Sequence, residues 1–275
     1  MIVALVKPIS RIGAFNAVAP RDPARRIVTG AAYGPDRMQA LDVYAPVEAE
    51  APAPVVMFFH GGGWRTGRRQ EYGFVGRALA SRGFVTIVAG YRLVPQVRYP
   101  AFLEDAAAAT LWAARNAAAH GGDPARLGFI GHSAGAYIAL QLGLDTRYLS
   151  AAGVEPSHVR AVTGLSGPYS FLPLKTPAAS AAFGAAGDLE ATQPINYARP
   201  DAPPALLVHG GRDTAVSAGQ SVRMARALEA AGAKAEVKIF QALNHSDTVL
   251  ALSRPFRGKA PILDEVSGFL KVHLG

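Results

Sequence analysis

The stretch Gly131-His132-Ser133-Ala134-Gly135 constrains this chain more than any other. The run before it, Arg126-Leu127-Gly128-Phe129-Ile130, reads as a buried strand, and Ala136 to Leu142 after it has helical composition with no breaker. A serine between two glycines, set between a strand and a helix, demands a very tight turn. Gly131 and Gly135 lack a Cβ, so strand and helix can close around the serine. Ser133 is then held out at the carboxyl end of a strand, and the Ala134 N–H at the helix start points into the same space. Such a turn places an oxygen nucleophile beside a donor for developing negative charge. Three fixed positions in a chain rich in glycine and alanine also arise by chance, so the neighbouring segments decide.

Those segments alternate between strand and helix. Arg26-Ile27-Val28 and Leu41-Asp42-Val43-Tyr44 suit a hairpin, Ala51 to Pro54 a loop, and Val55-Val56-Met57-Phe58-Phe59 a strand buried on both faces. A helix from Phe74 to Ser81 precedes the strand Phe84 to Val88, and an alanine-rich helix runs from Phe102 to Ala118. Strands at Val159–Leu165, Ala205–Val208 and Glu236–Phe240 follow, with helices over Ser217–Ala230 and Ile262–Val272. The expected fold class is α/β, a mostly parallel doubly wound sheet of about eight strands flanked by helices. Residues 1–25 read as an irregular lead-in, and the proline-rich segment 166–204 as an insertion over the sheet, all within one domain spanning 1–275.

Composition removes several classes of function. The 275 residues, half of them hydrophobic, suffice for one large core. With no cysteine, disulfides, thiolate zinc sites and a cysteine nucleophile are excluded. The net charge is +8, but the basic runs are only pairs, Arg25-Arg26 and Arg68-Arg69, with no basic stripe interleaved with aromatics. That pattern favours a solvated surface over a nucleic-acid interface. The apolar start, Met1 to Val6, is too short for a membrane span of about 20 residues, and the expectation is a soluble, cytoplasmic protein.

In doubly wound sheets, sites form at the carboxyl ends of strands. Phe59 is followed by His60-Gly61-Gly62-Gly63-Trp64, whose bare backbone offers N–H donors suited to charge that appears only in a transition state. A phosphate loop would need Gly-Lys-Ser/Thr after the glycines, and none is there. Val208 leads to Asp213 and Phe240 to His245, each just past a strand. The order Ser133, Asp213, His245 is nucleophile, acid, base in the sequence of an α/β-hydrolase triad. Among other candidates, His60 is expected to brace its loop, His132 to pack, and His209 to be a satisfied buried histidine. His120, His158 and His273 read as surface residues, and Asp188, Asp201 and Asp247 lack the strand-end position. The histidines show no metal-ligand spacing.

With these motifs, joined by Tyr91-Arg92-Leu93, Tyr99-Pro100-Ala101 with Glu104-Asp105, and Asn244-His245, the chain resembles an α/β-hydrolase-fold carboxylesterase over residues 26–272. It is similar to the hormone-sensitive-lipase-like, kynurenine-formamidase-like and feruloyl-esterase-like groups. It departs from the first, which usually carries Gly-Asp-Ser-Ala-Gly and an N-terminal helical cap, by its His132 and its short, proline-broken start. The resemblance implies that Ser133 attacks a carbonyl, His245 moves the proton and Asp213 holds the imidazole. It also implies that Gly62, Gly63 and Ala134 form an oxyanion hole, with Trp64 closing a side of the pocket. No cofactor or metal is required. The implied function is hydrolysis of small, short-acyl esters, with an arylformamidase or feruloyl-type aromatic esterase as the alternative. Outside catalysis, the alternative is a silent binding protein of the same fold. The implied partner is a small-molecule ester, with no nucleic acid and no membrane, and a homodimer is compatible with the sequence.

Overall fold

A computed structural model of the chain describes residues 11–48 and 52–275. Eight strands form one sheet in the order β1-β2-β4-β3-β5-β6-β7-β8. They are β1 (Ala24–Ala32), β2 (Ala40–Pro46), β3 (Ala53–Phe59), β4 (Val85–Ala89), β5 (Gly122–His132), β6 (Val159–Leu165), β7 (Ala205–Gly210) and β8 (Ala235–Phe240). β2 runs antiparallel to both of its neighbours, and every other pairing is parallel. The sheet is thus mostly parallel with eight strands among the described residues, as the sequence led us to expect.

The helices are α1 (Arg11–Val18), α2 (Gly73–Ala80), α3 (Ala101–Asn116), α4 (Ala134–Leu144), α5 (Arg147–Ala152), α6 (Pro177–Phe183), α7 (Gly219–Ala230), α8 (Asp247–Leu250) and α9 (Ile262–Leu274). They cover the sheet on both faces, and the strand alternation sorts the core accordingly. Val55, Met57 and Phe59 of β3 join a cluster with α3, α4 and α7, whereas Val56 and Phe58 join a second cluster with α2 and α9. Apolar residues on both sides of a strand leave no polar face, which is why the central strands read as continuous hydrophobic runs.

Two expectations are corrected. The lead-in is not irregular where it is described: residues 11–18 are helical and β1 begins at Ala24. The helix is fixed by tertiary contacts that its own pattern does not announce. Phe15 packs edge-on against Phe74, and Asn16 bridges Gln70 O and Phe74 N. Residues 1–10 lie outside the described part, as does Ala51 of the expected loop at 51–54, whose Ala53 and Pro54 already belong to β3. The segment 166–204 contains a helix, α6, started by Thr176, whose Oγ1 accepts from Ala179 N, and by Pro177 at the first helical position. Phe183 then anchors it among Trp64, Phe102, Tyr137 and Phe171.

Backbone packs closely against backbone where β5 turns into α4. A Cβ on Gly131 would stand 2.0 Å from Gly135 O, and one on Gly135 would stand 2.0 Å from Phe59 O. Both obstacles are backbone and cannot rotate away. Gly135→Ala is therefore expected to cost about 3 kcal/mol by overpacking, with a clear fall in Tm. Gly268 in α9 has open space around it, so Gly268→Ala should instead add about 0.5–1 kcal/mol. Thermal unfolding of the two variants separates the cases.

Candidate active site

Ser133 occupies the turn between β5 and α4 with φ 55° and ψ −120°, a conformation that costs a non-glycine residue. The turn is held by Ser133 N–H donating to Leu165 O at 2.8 Å on the adjacent strand β6. The Ala134 N–H, in the first turn of α4, has no acceptor within its helix.

Asp213 follows β7, in a turn that folds back under the strand end. Its Oδ1 accepts from Ala215 N at 2.9 Å and Val216 N at 2.8 Å. Its Oδ2 faces His245 Nδ1 at 2.7 Å, and His245 Nε2 lies 2.9 Å from Ser133 Oγ. A carboxylate only accepts, so Nδ1 carries the imidazole proton and Nε2 offers its lone pair to the serine hydroxyl. Three residues distant in sequence thus form one relay. Burial opposes charge on Asp213, but hydrogen bonds from His209, His245 and the Val216 N–H outweigh it and hold its carboxyl well below the usual carboxylate range.

The structure gives His209 and His132 larger parts than their sequence positions announce. His209 is buried, as expected, with Nδ1 2.8 Å from Ser221 Oγ and Nε2 2.9 Å from Val216 O. Nε2 is also 3.2 Å from Asp213 Oδ2, so its proton is shared with the acid. His132 is buried too, and its Nε2–H donates to His245 O at 3.0 Å, tying the base's backbone to the serine turn. Thr248 Oγ1 donates to the same carbonyl, and Asp247 Oδ2 accepts Asn244 N, which fixes the loop before α8. His120, His158 and His273 are partly exposed.

The glycine-rich loop after β3 is equally braced. His60 is fully buried, its Nδ1–H donates to Gly61 O at 2.8 Å, and its ring stacks on Tyr91 at 4.4 Å. Tyr91 Oη also donates to His60 O at 2.7 Å. Tyr91 lies just past β4, a strand-end position that sequence reasoning could have connected to this loop. Gly62 O accepts from both Arg65 N and Thr66 N, which closes the turn. Gly62 has φ 125° and Gly63 φ 58°, and a Cβ on Gly62 would meet Thr66 O at 2.1 Å. The Gly62 and Gly63 N–H groups have no acceptor among the described residues.

A cavity of about 840 Å³ opens above these groups; Gly62, Gly63, Trp64, Ser133, Ala134 and His245 all line it. Trp64 is buried, stacked near Phe171, and its Nε1–H has no partner among the described residues. The arrangement brings a serine hydroxyl, an imidazole and unpaired backbone donors to one concave space, with a carboxylate buried behind the imidazole, a combination able to support acyl transfer. No described helix is long and apolar enough to cross a membrane.

Burial lowers the titration of His60 to about 4, and burial, with the nearby His245, lowers that of His132 to about 3. Both stay neutral in the native state until well below the pH, about 6.5, at which an unfolded histidine takes a proton. Between those limits the unfolded chain binds more protons, so stability must fall as pH drops from about 6.5 toward 4. Each histidine should account for about 2 kcal/mol of loss at pH 5. Urea unfolding across pH 5–7 should show this slope, and His60→Asn should reduce it whatever its effect at neutral pH.

Known proteins carry the same architecture. Esterase B from Lactobacillus rhamnosis, bound to a C4-C4 tributyrin phosphonate, superposes with a TM-score of 0.84 at 23% identity, over 96% of this chain and 91% of that one. Isoprenylcysteine alpha-carbonyl methylesterase ICME of Arabidopsis thaliana is 29% identical over 256 residues, 85% of this chain. Esterase LipC of Mycobacterium tuberculosis is 33% identical over 210 residues, 69% of this chain. The chain spans 60% of the length of the former and 52% of the latter. The BD-FAE family model matches residues 41–228, from β2 into α7, and the chain belongs to the BD-FAE family.

Proposed function

We propose that this chain is a serine carboxylesterase that hydrolyses small, short-acyl carboxylic esters through an acyl-enzyme. The observation that carries the reading is the relay Asp213–His245–Ser133, at 2.7 and 2.9 Å, opening on a cavity beside unpaired backbone donors. The esterase names of the relatives agree with it.

In the first half-reaction Ser133 Oγ attacks the ester carbonyl while its proton passes to His245 Nε2. The imidazolium that forms is held by Asp213, which stays ionised because its hydrogen bonds favour the charged form. Charge moves onto the carbonyl oxygen, where the N–H groups of Gly62, Gly63 and Ala134 receive it. His245 returns its proton to the leaving alcohol, and the acyl group remains on Ser133. Water then attacks that acyl carbonyl, giving its proton to His245, and collapse of the second intermediate frees the carboxylic acid and restores the serine.

The short-acyl preference rests on the segment 166–204, read as a small cap. It contributes one seven-residue helix and short 3₁₀ turns, and its backbone is tied to the body by Tyr99 N–Ala182 O and Tyr137 Oη–Thr192 O bonds. A cap so fixed suits a preformed wall better than a mobile amphipathic lid. A second reading, an aromatic ester, is favoured by one feature: Trp64 and Phe171 both line the cavity with ring planes 30° apart, surfaces on which a planar acyl group can stack.

Ser133→Ala should lose a factor on the order of 10⁴–10⁶ in kcat and all labelling by a fluorophosphonate probe, while its far-UV spectrum and Tm stay close to those of the parent. Retention of a tenth of the activity would rule the mechanism out. With 4-nitrophenyl esters of increasing length, kcat/KM should peak at roughly two to six acyl carbons. A maximum at ten or more, with a rate jump when droplets form, would mark a lipase instead.

A further inference from the structure

The cavity above Ser133 is electrically lopsided. Several of its polar side chains are already committed to the protein. Gln220 Oε1 accepts from Tyr169 N and Ser170 N, and its Nε2 donates to Ser170 O. Thr176 Oγ1 accepts from Ala179 N, and Thr66 Oγ1 donates to Gly62 O. Two cations are not committed in this way. Arg223 of α7 and Lys175 of the 166–204 segment both line the cavity, and neither forms an ion pair among the described residues. Among the described residues the Arg223 guanidinium makes one polar contact, at the limit of hydrogen bonding, Nη2 to Ser170 O at 3.5 Å. Its Nη1 lies 3.1 Å from where a Cβ on Gly219 would stand, so the guanidinium lies back over the first turn of α7 beside the cavity.

The one carboxylate among the lining residues, Glu71, lies on the far side. Its 3₁₀ turn, Arg69–Tyr72, packs on α1, β2 and β4, whereas α7 packs on β7 and β8. Ser133 follows β5, which lies between β4 and β7 in the sheet. A bound molecule spanning the cavity therefore meets negative charge at the Glu71 side and positive charge at the Arg223 side, with Lys175 adding a second cation from the 166–204 segment. The lining also includes apolar side chains, among them Pro168, Phe171, Leu172 and Val216.

We propose that the preferred ester carries a carboxylate away from its scissile bond, separated from it by an apolar body, with Arg223 as the main counter-charge and Lys175 as the second. The proposal rests on the esterase reading above. The net charge of +8 adds a long-range attraction for such a substrate. Both cations are solvent-exposed, so each is worth only a few-fold in rate and is weakened by salt.

Two matched pairs of esters test it, one with the charge on the acyl side and one with it on the alcohol side. They are monomethyl adipate against methyl adipamate, and 4-acetoxybenzoate against 4-acetoxybenzamide. At low salt, the carboxylate member of at least one pair should have the higher kcat/KM, by about threefold or more. That ratio should fall about threefold in Arg223→Gln, further in the double variant with Lys175→Gln, and toward one in concentrated salt. Arg223→Glu should invert it. A wild-type preference for the amide in both pairs, or a ratio that Arg223→Gln and Arg223→Glu leave unchanged, overturns the inference and leaves the esterase reading standing. Turnover of none of the four esters overturns both.

Discussion

The site depends on one close approach: α4 running its first turn against the backbone of β3. Gly135 lies so near Phe59 O, and Gly131 so near Gly135 O, that no side chain fits at either place. That contact forces the chain through Ser133 at positive φ and aims the serine away from the sheet. It also brings the end of β3, and with it the glycine loop, beside the start of α4. The donors at Gly62, Gly63 and Ala134 are neighbours because two elements far apart in sequence touch backbone to backbone.

Around this contact stand three buried histidines outside the hydrogen-bonded chain of Asp213, His245 and Ser133, each bracing a different part of the candidate site. His60 stacks under the glycine loop, His132 holds the carbonyl of His245, and His209 shares its proton with Asp213. Imidazole suits the task because each ring donates at one nitrogen and needs no charge to do so. A lysine or arginine in the same places would bring a charge that the dry interior penalises. For His60 and His132 that penalty is visible in titration pushed far below the ordinary range.

The meeting of Ser133, Asp213 and His245 was legible because each follows a strand, and parallel strands of one sheet deliver their carboxyl ends to one edge. The sheet was legible for the same reason: apolar runs separated by helical segments leave few arrangements. What escaped reading lacks a local signature. The helix at 11–18 has almost no apolar stripe and is held by Phe74 and Gln70, more than fifty residues away. The contact between His209 and Asp213 exists because the turn after β7 folds back through Val216, a path that residue spacing does not reveal. The glycine loop could be recognised from its residues, but its bracing by Tyr91 crosses from the adjacent strand.

The segment between β6 and β7 spends its own polar groups on fastening itself. The Tyr169 and Ser170 N–H groups go to Gln220, Phe171 N goes to Gln193, and Tyr137 reaches up to Thr192 O. These bonds fasten the segment to α4, to α7 and to itself. Phe171, which lines the cavity over Ser133, thus belongs to a stretch of backbone bonded to α7 and to Gln193, so the shape of that wall is set in part by a buried residue outside the cavity lining.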